Sequence, residues 1–422
     1  MAKRHIYVFA DWKEVDGPLL MGILSSELLR GKEIFSFEYD KTWLSSKHAQ
    51  ILDPDLQLYT GPQYLNEENK SNFGLFLDSS PDRWGRALMQ RREAAEARLN
   101  NRERKKLFET DYLLGVHDGH RMGGLRFKLD LEGPFLSDDE RQASPPWTSI
   151  RELEQISLRL EEEDAVDNPE YLQWLNMLVN PGSSLGGARP KASVLDPDGH
   201  LWIAKFPSQR DKGDIGAWEM VTYELAMTAG INMAKCQARK FSNDHHTFLT
   251  KRFDRTGDGK RIHFTSAMTQ LGYTDGADAV AGVSYLDLVE FITRHGANVG
   301  GDLEELWRRI AFSVCVSNTD DHLRNHGFIL TNEGWLLSPA FDINPVETGT
   351  GLKLNISEDD NALDLNLVME VHEYFRLNEA SARAIIEEVK NAVRQWPVLA
   401  NKYRIPRAEQ ELKAPAFDKG MR

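Results

Sequence analysis

The run SNTDDHLRNHGFIL, residues 317–330, crowds polar and ionisable side chains between two apolar segments. Within it Asp320 and Asn325 stand five positions apart, and Asp342 follows beyond a short apolar stretch. Phosphoryl transfer needs a carboxylate that orients the attacking hydroxyl and accepts its proton. It also needs hard oxygen ligands for Mg2+. Asp320 is the candidate base, and Asn325 and Asp342 are the candidate metal ligands. Arg324, close to the base, is suited to stabilising charge on the transferred group, and His322 to orienting the loop by hydrogen bonds. A second chemistry is compatible with the same run: Asp320, Asp321, His322 and His326 could ligate zinc or manganese as in a metal hydrolase. That reading lacks a second histidine cluster, because His245–His246 is the one candidate and falls in a strand-rich region.

Such side chains need a rigid support. Leu303, Leu306, Trp307, Ile310, Ala311, Val314 and Cys315 form one apolar stripe at helical spacing, so a core helix over 303–316 feeds the loop. GFIL, a turn at 331–334 and WLLS predict a short hairpin after it, ending in PAFDINP. Helix, polar loop, hairpin, aspartate is the order found in the catalytic half of a protein kinase, and D-x-x-x-x-N is the kinase spacing of base and metal ligand. The upstream half supplies matching parts. SSLGGARPK (183–191) offers a glycine loop with Gly186, Gly187, Ala188 and Lys191. A strand follows at 192–195, then a DPDGH turn, then LWIAKF with Lys205. A helix over 214–229, ending at Gly230, carries Glu219, a candidate partner for Lys205. Taken singly, Lys205 reads as a snorkelling strand lysine and Glu219 as a solvated helix residue. In this order, the functional reading is the stronger one.

The rest of the chain sets bounds. At 422 residues it exceeds a single core, so more than one domain is expected. The net charge of −14 argues against non-specific nucleic-acid binding. With two cysteines, Cys236 and Cys315, each in an apolar run, neither a disulfide framework nor a zinc cluster is expected. The N-terminus lacks an apolar signal region and no run suits a membrane span, so a cytoplasmic protein is expected. The opening reads as strands at 5–10 and 33–39, then an arginine-dense helix over 82–104 whose mixed charges suit a solvated face. Residues 131–149 form a polar connection, followed by helices at 149–163 and 169–179. Strands at 235–241 and 246–253 precede a mostly helical remainder, with helices at 285–295 and 380–395. DRTGDGKRIHFT (254–265) lacks the bidentate glutamate of a calcium loop. The tail after Pro406 is charged and reads as mobile.

GSSLGGARPKA, WIAKFPS, TKRFDR, SNTDDHLRNHGF and PAFDINP together resemble the motif series of HipA-type serine/threonine kinases, toxin components of bacterial toxin–antitoxin pairs. FGLFLDSSPDRWGRALMQRR (73–92) resembles the N-terminal subdomain of that family. The resemblance spans nearly the whole chain. It implies an α+β, two-lobed, protein-kinase-like fold. Residues 1–130 would form a strand-rich subdomain, 150–255 an N-lobe with the glycine loop and ATP lysine, and 256–422 a helical C-lobe. Asp320 would be the base, Asn325 and Asp342 the Mg2+ ligands, Lys205 the ATP-phosphate lysine, and Lys251–Phe253 the hinge beside adenine. It also implies a regulatory serine in the glycine loop, Ser184 or Ser183, whose phosphorylation would eject the loop. The sequence departs from many relatives at Asp321 (Gly), Arg324 (Lys) and Lys251 (acidic in some members).

The expectation is an ATP- and Mg2+-dependent kinase phosphorylating a protein target, with an aminoacyl-tRNA synthetase as one class of target. Its partner would be a helix-turn-helix antitoxin of HipB type, through which alone it would meet DNA. A pseudokinase acting as co-repressor, or a small-molecule kinase, are the competing readings. Asp321, chemically identical to Asp320, is expected to be a bystander.

Overall fold

The computed structural model describes residues 3–65, 70–139, 143–178, 189–242 and 244–421. They group into two compact units: Met1–Gln209 with Lys251–Thr265, and Arg210–Thr250 with Ser266–Arg422.

In the first unit, strands Arg4–Ala10, Leu19–Leu29, Lys32–Tyr39, Gln63–Tyr64 and Leu125–Lys128 form an antiparallel sheet. Arg4–Ala10 lies between Leu19–Leu29 and Leu125–Lys128. Arg30 and Gly31 turn the second strand into the third with φ of 50° and 80°. Positive φ at both central positions is the two-residue turn whose twist matches paired strands. Phe35, Phe37 and Tyr39 are buried as their alternation predicts. The arginine-dense helix, Arg83–Leu99, is capped by Asp82, which accepts from Gly85 N. It stops short of residue 104 because Asn100 and the left-handed Asn101 leave the helix. Arg102 then folds back onto Glu93 through two hydrogen bonds of 2.6 and 2.9 Å. Helices Ile150–Arg159 and Tyr171–Leu178 follow, then the hairpin of Lys191–Leu195 with Leu201–Lys205.

The interior of this unit is heavily charged. Arg252 and Asp254 have fully buried side chains, paired at 2.6 Å. Asp254 also accepts from Arg255 at 2.7 Å and from Gly123 N at 3.0 Å. Burial alone would raise the Asp254 carboxyl, but Arg252 and Arg255 hold it far below the carboxylate range. Arg121 donates from Nη1 to Ser79 O and from Nη2 to Val116 O and Leu136 O of the interior. Two histidines share this interior. Burial pushes His263 down to about 3, and burial followed by repulsion from His117 and Arg252 pushes His120 down to about 2.

In the second unit, helix Ile215–Thr228 starts at Asp214, whose side chain accepts from Ala217 N. It ends in a Schellman closure: Gly230 is left-handed, Ile231 N bonds Ala226 O and Gly230 N bonds Met227 O. Helix Val299–Cys315 packs against Tyr285–His295 and Glu379–Val393. Hairpins Cys236–Arg239 with Thr247–Lys251 and Gly327–Thr331 with Gly334–Leu337 are as expected, apart from boundaries. The tail departs from expectation. Residues Arg407–Asp418 form a helix, and Phe417 is fully buried with its ring stacked on Trp396 at 4.8 Å. A few apolar residues among many charges were enough, because the charges themselves find partners. Among the described residues no helix is long and apolar enough to cross a membrane.

The two depressed histidines set a pH dependence. The unfolded chain binds two protons below a pKa near 6.5 that the native chain refuses until about 3 and about 2. Stability is therefore full above pH 6.5 and is lost as pH falls. Asp53, raised to about 6 chiefly by burial, takes up one proton in the native chain over the same range and offsets one histidine. Urea unfolding should therefore show the free energy dropping by up to about 1.4 kcal/mol per pH unit between pH 6 and 4. His263→Phe should nearly abolish that slope.

Candidate active site

The helix that feeds the polar loop is buried along its whole stripe: Leu303, Leu306, Trp307, Ile310, Ala311, Val314 and Cys315 are all 0% exposed. It begins at Val299, earlier than the stripe predicts, and Asp302 in its first turn accepts from Leu337 N at 2.9 Å. Its far end is closed by a second Schellman arrangement. Ser317 N bonds Val314 O at 3.2 Å and Asn318 N bonds Ser313 O at 2.8 Å. Ser317 takes the left-handed position, with φ of 49°. Glycine is the usual occupant there, and a side chain costs roughly 1–2 kcal/mol. The Ser317 hydroxyl has an employment that glycine lacks: it donates to Ala416 O at 2.7 Å.

From this closure the loop presents Asp320 to solvent. His322 N bonds Asp320 O and Asn325 N bonds His322 O, at 2.9 and 2.8 Å. The Asn325 carboxamide turns back so that Nδ2 donates to Asp320 O at 3.1 Å. Its Oδ1 is buried and finds no hydrogen-bond donor among the described residues. Arg324 Nη1 lies 2.6 Å from Asp275 Oδ1, and His322 is half-buried with Nδ1 shielded from solvent.

Asp321 faces the interior. It is buried, accepts from the Tyr285 hydroxyl at 2.6 Å, and has His326 Nε2 3.1 Å from its other oxygen. Burial works to raise its carboxyl, but His326 and Tyr285 hold it below the usual range. Burial and then Asp321 push the Tyr285 hydroxyl well above its ordinary value. Of the two adjacent aspartates, one anchors the loop inward while the other faces out. Residue type alone could not separate them.

Asp342 sits beyond the hairpin with φ of 60°, a conformation aspartate tolerates better than most residues. Asn344 Nδ2 donates to Asp342 Oδ1 at 3.3 Å, and Asn344 N donates to Asn318 Oδ1, also at 3.3 Å. Asn318 thus ties the segment carrying Asp342 to the end of helix Val299–Cys315. Sequence reasoning missed Asn318, Asn344, Tyr285 and Asp275; the one available signal was their polarity beside apolar runs.

Glu219, in the same unit on helix Ile215–Thr228, is buried rather than solvated. The remaining candidates lie in the other unit. Lys205 is buried at the end of its strand and stands opposite Lys191 in register. Two ammoniums directly opposed repel one another. Lys191 Nζ is 2.8 Å from Asp82 Oδ2, and both side chains are buried. Lys251 lines a cavity of about 210 Å3 with Leu195, His200 and Leu201, and the ring of Phe253 lies 5.7 Å from that of Phe264. Gly186, Gly187, Ala188, Ser183 and Ser184 lie outside the described residues.

Residues 183–396 match the family described as the HipA-like C-terminal domain. The chain belongs to this family. Among solved structures, the complex described as the Shewanella oneidensis MR-1 toxin–antitoxin system of HipA, HipB and its operator DNA contains a chain of similar fold. The two superpose with a TM-score of 0.62 at 17% identity, covering 99% of this chain and 96% of that one. A protein of Haemophilus influenzae named as a putative kinase is 27% identical over 179 residues, 38% of this chain. The match spans 52%, about half, of that relative's length. The α+β, kinase-like fold of HipA is thus the fold of this HipA-like chain, as its motifs led one to expect.

Removing the Tyr285 hydroxyl should leave the buried Asp321 carboxylate short of a donor. Tyr285→Phe is expected to lower the unfolding free energy by about 1–3 kcal/mol, read by urea denaturation at pH 7.

Proposed function

We propose that this HipA-like chain is an ATP- and Mg2+-dependent protein serine/threonine kinase. The observation that carries the reading is the pairing of an exposed Asp320 with an Asn325 whose Oδ1 is buried and finds no donor among the described residues. A buried carbonyl oxygen left without a partner costs stability unless something else coordinates it, and a hard cation is the fitting partner. Asn325 and Asp342 would hold Mg2+, which would neutralise charge on the transferred phosphoryl group.

The chain's own residues then take distinct parts. Asp320 orients the substrate hydroxyl and accepts its proton. Arg324 steadies negative charge, and His322 shapes the loop. Lys205 holds the ATP phosphates, with Gly186, Gly187, Ala188 and Lys191 as the glycine-loop residues above them. Lys251 and Phe253 flank adenine. The working parts are residues 1–130, a nucleotide lobe over 150–255 and a catalytic lobe over 256–422. Ser184, or Ser183 beside it, is the site of inactivating autophosphorylation. The target is a protein, with an aminoacyl-tRNA synthetase as a candidate class. The fold shared with a HipA crystallised with HipB and operator DNA supports a HipB-type antitoxin as partner, with DNA reached through it.

The test is incubation of the purified chain with γ-labelled ATP and Mg2+. Label should appear on Ser184 and fall by about 10²–10⁴-fold in Asp320→Asn. Equal labelling of both proteins would overturn the assignment of the base. ATP turnover without protein labelling would point instead to a small-molecule acceptor. In Asn325→Ala the Mg2+ concentration for half-maximal labelling should rise; an unchanged Mg2+ requirement would remove Asn325 from the metal site.

A further inference from the structure

The C-terminal helix Arg407–Asp418 touches both parts of the second unit that bear candidate catalytic side chains. At its N-terminal side, Glu409 Oε1 accepts from Asp214 N at 2.9 Å and from Trp218 Nε1 at 2.7 Å. Those groups open the helix that carries Glu219. The fit is close: a Cβ on Gly213 would lie 2.4 Å from the same Glu409 oxygen. At its middle, Lys413 Nζ donates to Pro345 O at 3.1 Å and lies 2.5 Å from Glu347 Oε2. Near its end, Ala416 O receives the Ser317 hydroxyl, and Lys419 Nζ donates to Glu347 O at 2.7 Å and Gly349 O at 3.1 Å.

Residues 343–349 need such support. They contain no helix or strand, and Pro345 has no amide hydrogen to give. Their start is set by the left-handed Asp342. Val346 N donates to Ser317 O at 3.1 Å, so Ser317 bonds this segment with its carbonyl and the C-terminal helix with its hydroxyl. Ser317 is therefore the joint between the catalytic helix, the segment after Asp342 and the chain's last helix. The backbone strain of a left-handed serine is what would be expected if the hydroxyl contact were worth keeping, since glycine fits the conformation without cost.

Building on the kinase reading above, we infer that the C-terminal helix is a brace for the catalytic loop, with Lys413 and Ser317 as positioning residues that hold Asp342 and Asp320 in register. Neither residue touches substrate. Lys413 acts by holding the Pro345 carbonyl, and Ser317 by tying the start of the loop to Ala416 O of the C-terminal helix through its hydroxyl; a displacement of about 1 Å there can cost up to 10²-fold in rate.

The experiment compares the full chain with Ser317→Gly, Lys413→Met and Lys413→Arg. Ser317→Gly removes the hydroxyl while relieving the strain. A helix end with a purely structural role would hold or gain stability and keep its activity. The brace predicts a kcat lowered by about tenfold with Tm unchanged or raised. Lys413→Met should lower kcat similarly, raise the Mg2+ requirement, change the KM for ATP less than about twofold, and shift Tm by only a few degrees. Lys413→Arg should recover most of the loss. Amide hydrogen exchange over 342–349 should quicken in Lys413→Met, whether or not turnover is measured. Wild-type kcat in both Ser317→Gly and Lys413→Met, or unchanged exchange over 342–349, would overturn the brace. A wild-type chain that transfers no phosphate would end the kinase reading, and the exchange comparison alone would then decide the brace.

Discussion

The last turn of helix Val299–Cys315 ends in the core, where its carbonyl oxygens have no water to bond. Backbone groups in that position must be satisfied by protein or the helix end is unstable. The chain meets this by reversing sharply at Ser317, so that Ser317 N and Asn318 N bond Val314 O and Ser313 O. That reversal decides which way the following residues face. It sends Asp321 inward to Tyr285 and leaves Asp320 outward. It also places the Asn318 side chain where it can hold Asn344, and through Asn344, Asp342. The arrangement of the polar loop thus follows from the need to finish a buried helix.

Much of this was legible beforehand where the pattern was periodic or the spacing carried chemistry. The apolar stripe of Leu303 to Cys315 marked a buried helix, and the alternation of Phe35, Phe37 and Tyr39 marked a strand with one buried face. The D-x-x-x-x-N spacing and the glycine loop pointed to a family, and family membership brought the fold with it. What stayed illegible depends on contacts between distant residues. Nothing local tells Asp320 from Asp321, because the difference lies in Tyr285, thirty-six positions upstream of Asp321. Taken singly, Glu219 read as solvated because a charged residue on a helix usually is, and the order of the motifs alone argued for a functional role. The tail read as mobile because Lys413, Lys419 and Glu409 look like solvated charges until their carbonyl, amide and indole partners are seen.

The charged interior of the first unit shows the same rule in the opposite direction. Arg252, Asp254 and Arg255 stand close together in TKRFDR, at the end of the strand expected over 246–253. The side chains of Arg252 and Asp254 are fully buried and paired, with the guanidinium groups of Arg252 and Arg255 reaching the carbonyls of His120 and Arg121. Buried charges that are paired and fully hydrogen-bonded tolerate little rearrangement, since removing one partner leaves the other uncompensated. Such a network favours one packing over its alternatives.

The segment 251–265 belongs to the first unit although the chain has already passed through part of the second. Its buried charges are completed by Gly123 N and by the carbonyls of His120 and Arg121, all outside the span 183–396 shared with the family. In this chain, therefore, a fragment confined to 183–396 would carry the two fully buried charges of Arg252 and Asp254 with part of their hydrogen bonding missing.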